Sequence, residues 1–199
     1  MTNKDVNPSN QIRLPSVVGM VSSGIWFIAL VVEYRYGFLE LPEDSSLLLL
    51  YYIDGVLFFL ALTGYLIMLL GLWKAKAAGG GIFGRISLGV FIGGLGTLLI
   101  AQVVDLLTGT KVFLYPVGGV LQLFGGLMTG IAVLTAKRWQ GWQKFAPLLQ
   151  GLYYLILFLL LAAFDQEPTQ LIESIWQVTW FITSLAQFTS TGNVTETEG

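Results

Sequence analysis

Six long runs of apolar residues follow one another along the chain, and short polar segments separate them. A helix of about 20 predominantly apolar residues crosses the hydrocarbon core of a bilayer. Inside that core only helices and closed barrels satisfy their own backbone polar groups. The pattern therefore predicts an all-α membrane protein that folds as a bundle of six transmembrane helices. The predicted spans cover approximately residues 17–32, 47–73, 82–107, 112–136, 145–164 and 170–188.

The apolar runs also define the domain organisation. Residues 1–14 form a polar N-terminal tail, and residues 15–188 form one six-helix transmembrane domain. Residues 189–199 are small, polar and acidic, a composition that is typical of a disordered tail. The spans leave no room for a separate soluble domain.

The basic residues predict an orientation, because short cytoplasmic loops retain Lys and Arg. All ten Lys and Arg residues except Arg35 and Lys111 lie before the first span or within and beside the second and fourth connections. An even number of spans then places both termini in the cytoplasm. Tryptophans near the same connections, such as Trp73 and Trp139, are typical of a membrane interface.

The composition agrees with a membrane protein and excludes several kinds of site. Of all residues, 55% are hydrophobic and 11% are charged, whereas a soluble domain has roughly 25% charged residues. A net charge of −2 gives no basic surface for nucleic acid, so the expected partner is the lipid bilayer. The chain has no His and no Cys, which removes imidazole and thiolate ligands and the usual nucleophile pairs. We therefore expect no metal, no cofactor and no catalytic residue.

Glycines lie at helical spacing in the third and fourth predicted spans. Gly89, Gly93 and Gly96 share one face of the third span, and Gly126 and Gly130 continue a looser strip, from Gly119, on the fourth. Small residues at this spacing allow helix backbones to approach closely in lipid. The main expectation is that the strips pack these two helices against each other, and the alternative is a homodimer interface.

Polar and aromatic residues form stripes along several spans, most clearly on the sixth. A charge or an amide inside a span is costly, so it faces protein or water rather than lipid. If the stripes converge, the bundle has a polar, aromatic interior whose acids lie toward the outer leaflet. The candidate ligand-binding residues are Glu33, Asp54, Gln102, Gln122, Glu173, Trp176, Gln177 and Trp180.

Asp54 is the strongest single candidate, because it lies about two helical turns inside the second predicted span. Two interpretations of the polar residues remain open. They form a vestibule for a cation, a proton or an amphipathic molecule with a positive group, or they only hold the bundle together through hydrogen bonds.

The stretch from Gly118 to Leu152 carries the segments GGVLQLFGGLMTGIAVL, KRWQGW and APLL. It resembles small multi-pass membrane proteins of unknown function from bacterial genomes. The resemblance implies a bacterial cytoplasmic membrane and no particular activity.

The leading hypothesis is a non-enzymatic membrane protein that binds or translocates a small molecule, lipid or cation through the polar interior of the bundle, either alone or as a homodimer. The alternative is a structural or accessory subunit of a larger membrane complex. A lipid-modifying enzyme is third, and its chemistry would depend on carboxylates and an oxygen-bound divalent cation.

Overall fold

A computed structural model describes residues 8–36, 45–109, 112–164 and 170–190 of the 199-residue chain. The described chain is helical throughout, with one 3₁₀ turn, Gln143–Phe145, before the fifth helix. The prediction of an all-α protein with six helices is confirmed. The helices are α1 (Pro8–Tyr36), α2 (Ser45–Lys74), α3 (Ile82–Thr108), α4 (Leu114–Ala136), α5 (Ala146–Phe164) and α6 (Gln170–Ser190).

Five helices, α1 to α5, are long and apolar enough to cross a membrane by length and composition. Their outward surfaces carry large apolar side chains such as Leu60, Ile100 and Ile131, which are exposed. Fully buried positions, by contrast, include polar side chains such as Gln122 and Gln150. An apolar outer surface around an interior that holds buried amides suits lipid as the surrounding solvent, so the chain is a multi-pass membrane protein in its architecture.

The six helices form a closed ring in chain order. Each helix packs against the next one, and α6 returns to pack against α1. Neighbouring helices run in opposite directions, as the pairing of Gly125 with Phe91 between α3 and α4 and of Gly130 with Leu148 between α4 and α5 shows. The start of α1 and the end of α6 therefore lie at the same end of the ring, which we call the terminal end.

Glycines on α4 set the spacing of its two neighbours. A methyl group at Gly125 would lie 2.5 Å from the Cα of Phe91 on α3, and one at Gly126 would lie 2.6 Å from the backbone nitrogen of Gly151 on α5. The α4 backbone therefore approaches both neighbouring backbones closely on opposite faces.

The glycine strip of α3 does not pack as expected. A methyl group at Gly93 or Gly96 would meet nothing within 4 Å, and one at Gly89 would meet only the ring of Trp73 at 3.8 Å. Gly94, one position away, makes the close contact with α4 instead. The expectation that the strip of Gly89, Gly93 and Gly96 packs against α4 is therefore wrong, because this face points away from the ring.

Helix α6 is amphipathic, with its polar face toward the interior of the bundle and its apolar face outward. A surface helix of a soluble protein has the opposite arrangement. Trp176, Gln177 and Gln187 on its inner face are buried, whereas Ile175 and Val178 on its outer face are exposed. In the part of the chain that the structure describes, α6 is not among the helices that are long and apolar enough to cross a membrane on their own. Its polar face is covered by α1 and α5, its two neighbours in the ring.

Candidate functional site

A cavity of about 640 Å³ opens at the end of the ring opposite the terminal end, which we call the cavity end. All six helices contribute to its wall. Of the Lys and Arg residues that the structure describes, only Arg35 belongs to the cavity end of the helices, and none lines the cavity. Three carboxylates, from Glu33, Asp54 and Asp105, do line it. The cavity is therefore acidic and has no basic side chain among its described lining residues.

A hydrogen-bond network fixes one side of the cavity. The hydroxyl of Tyr51 on α2 donates to Asp105 Oδ1 at 3.3 Å, and the hydroxyl of Tyr115 on α4 lies 3.2 Å from Asp105 Oδ2. The same Tyr115 hydroxyl lies 2.8 Å from Gln102 Oε1, and Gln102 Nε2 donates to the carbonyl oxygen of Gly55 at 3.3 Å. The network joins α2, α3 and α4, so Asp105 and Gln102 hold the wall together.

Asp54 is in a different situation from Asp105. Its Oδ1 is buried and has no hydrogen-bond partner. The negative charge of Glu33, at the end of α1, acts on it with the same sign. A partly buried carboxyl group without a donor or a counter-charge is costly to ionise. Asp54 is therefore the lining carboxylate with the most to gain from a positively charged group.

Aromatic rings form the deeper part of the wall. The ring of Trp26 on α1 packs edge-on to that of Trp176 on α6, with centroids 4.6 Å apart and planes at 85°. Trp26 also packs against Phe58 at 3.8 Å, and Trp176 packs edge-on to Tyr154 at 5.8 Å. These four rings all line the cavity. Their different orientations offer both faces and edges to whatever the cavity contains.

A stack of aromatic rings lies behind this wall, toward the terminal end. Trp180 is 0% exposed, and its ring stacks on Tyr65 at 4.4 Å and on Phe91 at 5.6 Å. Trp180 also meets the edge of Trp176, one turn earlier on α6, at 6.0 Å. The stack fills the centre of the ring, and none of its three rings is among the lining residues of the cavity.

The sequence-predicted residues divide into three groups. Gln122 and Trp180 do not line the cavity: the amide of Gln122 donates to the carbonyl oxygen of Phe91 at 3.1 Å, and Trp180 belongs to the central stack. Glu173 lies on α6, but its side chain is outside the described part of the structure. The structure brings the other five together around one cavity, and these are Glu33, Asp54, Gln102, Trp176 and Gln177.

Several lining residues were not among the sequence-predicted site residues. Asp105 is at the end of the third span, where an acid is expected to be solvated, and Tyr115 resembles an interfacial aromatic. Tyr153 and Tyr154 are adjacent on α5, where the surrounding apolar residues do not indicate which of the two faces the interior. In the structure both are buried and line the cavity. The spacing of Asp105 three residues after Gln102, on one helical face, was the available signal.

Buried amides lie between α4 and its neighbours, outside the cavity lining. Both polar atoms of the Gln150 side chain lack a hydrogen-bond partner, as do Gln122 Oε1 and Thr129 Oγ1. Gln150 on α5 lies beside Gly126 of α4. Gln122 and Thr129 are each about one helical turn from Gly126 on α4. These three side chains form a layer of unsatisfied polar groups within the bundle.

Replacing Gln150 by Leu is expected to stabilise the protein. An unsatisfied buried polar group costs about 1–3 kcal/mol, and Leu removes both unpaired atoms at similar volume. The thermal unfolding temperature of the purified protein in detergent should rise. Gln102→Leu is the matched control and should lower that temperature, because Gln102 has partners at both amide atoms. Equal losses for the two variants would contradict the assignment of Gln150 as unsatisfied.

Comparison with protein-family models, with curated proteins and with solved structures finds no match. Among the described residues, no group of three Asp or Glu side chains is arranged to hold a metal ion. The three lining carboxylates therefore lie around the cavity instead of meeting at one point.

Proposed function

We propose that this chain is a bacterial cytoplasmic-membrane protein that spans the bilayer six times and binds a small molecule in the cavity. Both termini lie in the cytoplasm in this proposal, because the terminal end carries most of the basic residues. The cavity then opens toward the outer leaflet. The proposed function is binding or translocation, and it involves no catalysis.

A sixth span is supported by the position of α6. Its 21 residues correspond to roughly 30 Å of helix, which is about the thickness of the hydrocarbon core. It packs along α1 from the Trp26–Trp176 contact near the cavity to Arg13, which lies over the ring of Phe188 at the terminal end. A helix that packs alongside the spanning helix α1 from Trp26 to Arg13 would cross the membrane together with it.

The cavity is the observation that carries the binding proposal. Its volume of about 640 Å³ lies within the range of about 300–1,000 Å³ that is typical of small-molecule sites. Such sites combine an apolar or aromatic wall with a few polar groups, and this lining has both. A bundle that needed polar residues only for packing would not leave an opening of this size between them.

A cavity-filling substitution tests the binding proposal. Leu157 on α5 is half-buried and lines the cavity, so Leu157→Trp would occupy part of its volume. Leu159, two residues later, is 60% exposed, and Leu159→Trp is the matched control. The probes are three compounds of one shape: choline, 3,3-dimethyl-1-butanol and 3,3-dimethylbutanoate.

Binding is measured by the intrinsic tryptophan fluorescence and by the unfolding temperature of the protein in detergent. We expect at least one probe to bind to the wild type and to Leu159→Trp, and its affinity for Leu157→Trp to fall about tenfold or more. The proposal would be abandoned if none of the three compounds bound at millimolar concentration, or if both tryptophan variants bound like the wild type.

A second candidate function, that of an accessory subunit in a larger membrane complex, is supported by the exposed strip of Gly89, Gly93 and Gly96. A face without side chains allows a helix of another chain to approach closely. Purification from the native membrane in a mild detergent distinguishes the two. Consistent migration as a single chain would contradict the subunit function, and Gly93→Leu should release a partner that does co-migrate.

A further inference from the structure

We propose that the ligand of the cavity is a small organic ammonium compound, with its positive group held between Asp54 and the faces of the neighbouring aromatic rings. This inference rests on the proposed binding function and names its ligand class. Three independent properties of the lining support it: the sign of its charge, the kind of groups that surround the charge, and the spacing of the carboxylates.

The charge of the described lining favours a positive ligand. Glu33, Asp54 and Asp105 are all acidic, and the described lining residues include no Lys or Arg. Asp105 already accepts a hydrogen bond from the Tyr51 hydroxyl and lies 3.2 Å from the Tyr115 hydroxyl, whose single hydrogen it shares with Gln102. Asp54 has an unpartnered buried oxygen and experiences the repulsion of Glu33. A cation bound beside Asp54 would supply the missing partner of this oxygen and would offset the repulsion by Glu33.

The aromatic rings determine which kind of cation fits. The face of an aromatic ring carries partial negative charge and attracts an alkylated ammonium group, most strongly for Trp. Trp26, Trp176 and Tyr154 present such rings to the cavity, and Trp176 is more than nine-tenths buried, with no partner for its Nε1. Desolvation strengthens the attraction, so this deep wall is a favourable place for it.

The spacing of the described carboxylates does not match the ligand sets of calcium or magnesium. Calcium takes 6–8 oxygen ligands at short distance and magnesium requires near-octahedral oxygen geometry, whereas the described carboxylates do not gather into such a group. An organic ammonium compound needs one carboxylate and apolar contacts for its alkyl groups. The lining offers this combination.

The same three compounds test the inference, because they share one shape and differ in charge. We expect choline to bind at least about tenfold more tightly than 3,3-dimethyl-1-butanol, and 3,3-dimethylbutanoate not to bind. Potassium and magnesium chloride at equal ionic strength should not displace choline beyond the effect of general screening. Equal affinity for choline and the neutral alcohol would overturn the inference while leaving the binding function intact.

Asp54→Asn should reduce the affinity for choline about tenfold and leave the affinity for the neutral alcohol unchanged. The matched variant is Asp105→Asn, which removes a lining carboxylate that already has a hydrogen-bond partner in Tyr51. If Asp54→Asn and Asp105→Asn bound choline equally well, Asp54 would not be the particular partner of the ammonium group. The unfolding temperature of each variant without ligand confirms that the fold is retained.

Trp176→Phe supplies a second measurement that does not depend on the carboxylate. We expect choline to change the tryptophan fluorescence of the wild type, and this change to be smaller in Trp176→Phe, in which Trp26 is the one remaining tryptophan among the described lining residues. Trp142→Phe is the matched control, because Trp142 is 48% exposed and lies far from the cavity lining. A fluorescence response that Trp176→Phe keeps and Trp142→Phe loses would contradict the proposed position of the ammonium group.

Discussion

Gly125→Ala is expected to cause a large loss of stability, although it adds only one methyl group. The methyl carbon would lie 2.5 Å from the Cα of Phe91 and 2.6 Å from its backbone nitrogen, so α3 and α4 must move apart. Overpacking costs about 1–3 kcal/mol, and contact with backbone, which cannot rotate away, places this variant at the upper end. The gain of about 1 kcal/mol in helix propensity from Gly to Ala is too small to compensate.

Gly93→Ala is the matched control for this prediction. It makes the same change on the neighbouring helix, where the methyl group would meet nothing within 4 Å. Only the gain in helix propensity from Gly to Ala then changes the stability, so the unfolding temperature in detergent should stay constant or rise. The ring architecture would be in doubt if Gly93→Ala were as damaging as Gly125→Ala in the isolated protein.

Trp180→Ala should also destabilise the protein strongly. Trp180 is 0% exposed and stacks on both Tyr65 and Phe91, so its removal leaves a hole at the point where α2, α3 and α6 meet. In soluble cores such a truncation costs about 3–5 kcal/mol. The cost here should be at or below that range, because lipid is as apolar as the protein interior and only the packing contribution is lost.

Phe181→Ala separates this packing effect from a general sensitivity of α6. Phe181 is the next residue on the same helix, is 43% exposed on the outer face, and should cost little when truncated. The near-ultraviolet circular dichroism of Trp180→Ala should decrease with the loss of the stack. A Trp180→Ala variant as stable as Phe181→Ala would show that the centre of the bundle is not packed around this ring.

Much of the fold could be predicted from sequence because each helix is marked by its own apolar run. The predicted edges at Ile82 and Ala136 coincide with the observed helix ends, where the chain turns polar or glycine-rich. The inner face of α6 could be predicted as well, since an amide such as Gln177 has a large penalty in lipid. These features depend only on the apolar and polar residues of the helix itself, which the sequence gives directly.

Features that depend on which helices are neighbours could not be predicted. Gln122 and Gln102 look alike in sequence, yet one bonds to the backbone of Phe91 and the other belongs to the cavity network. Gly93 and Gly94 likewise differ only in which side of α3 they occupy. Rotation of a helix about its axis is set by packing partners, and adjacent glycines give no indication of it.

The closure of the ring by α6 has a consequence for biogenesis. A ribosome delivers α1 to α5 first, and each of them is apolar enough to partition into the bilayer by itself. If α6 is the sixth span, as proposed, it emerges after them with a polar face, and its insertion would depend on the groove that α1 and α5 have already formed. Because α6 carries Trp176 and Gln177, the cavity would then acquire its last wall in the same step that completes insertion.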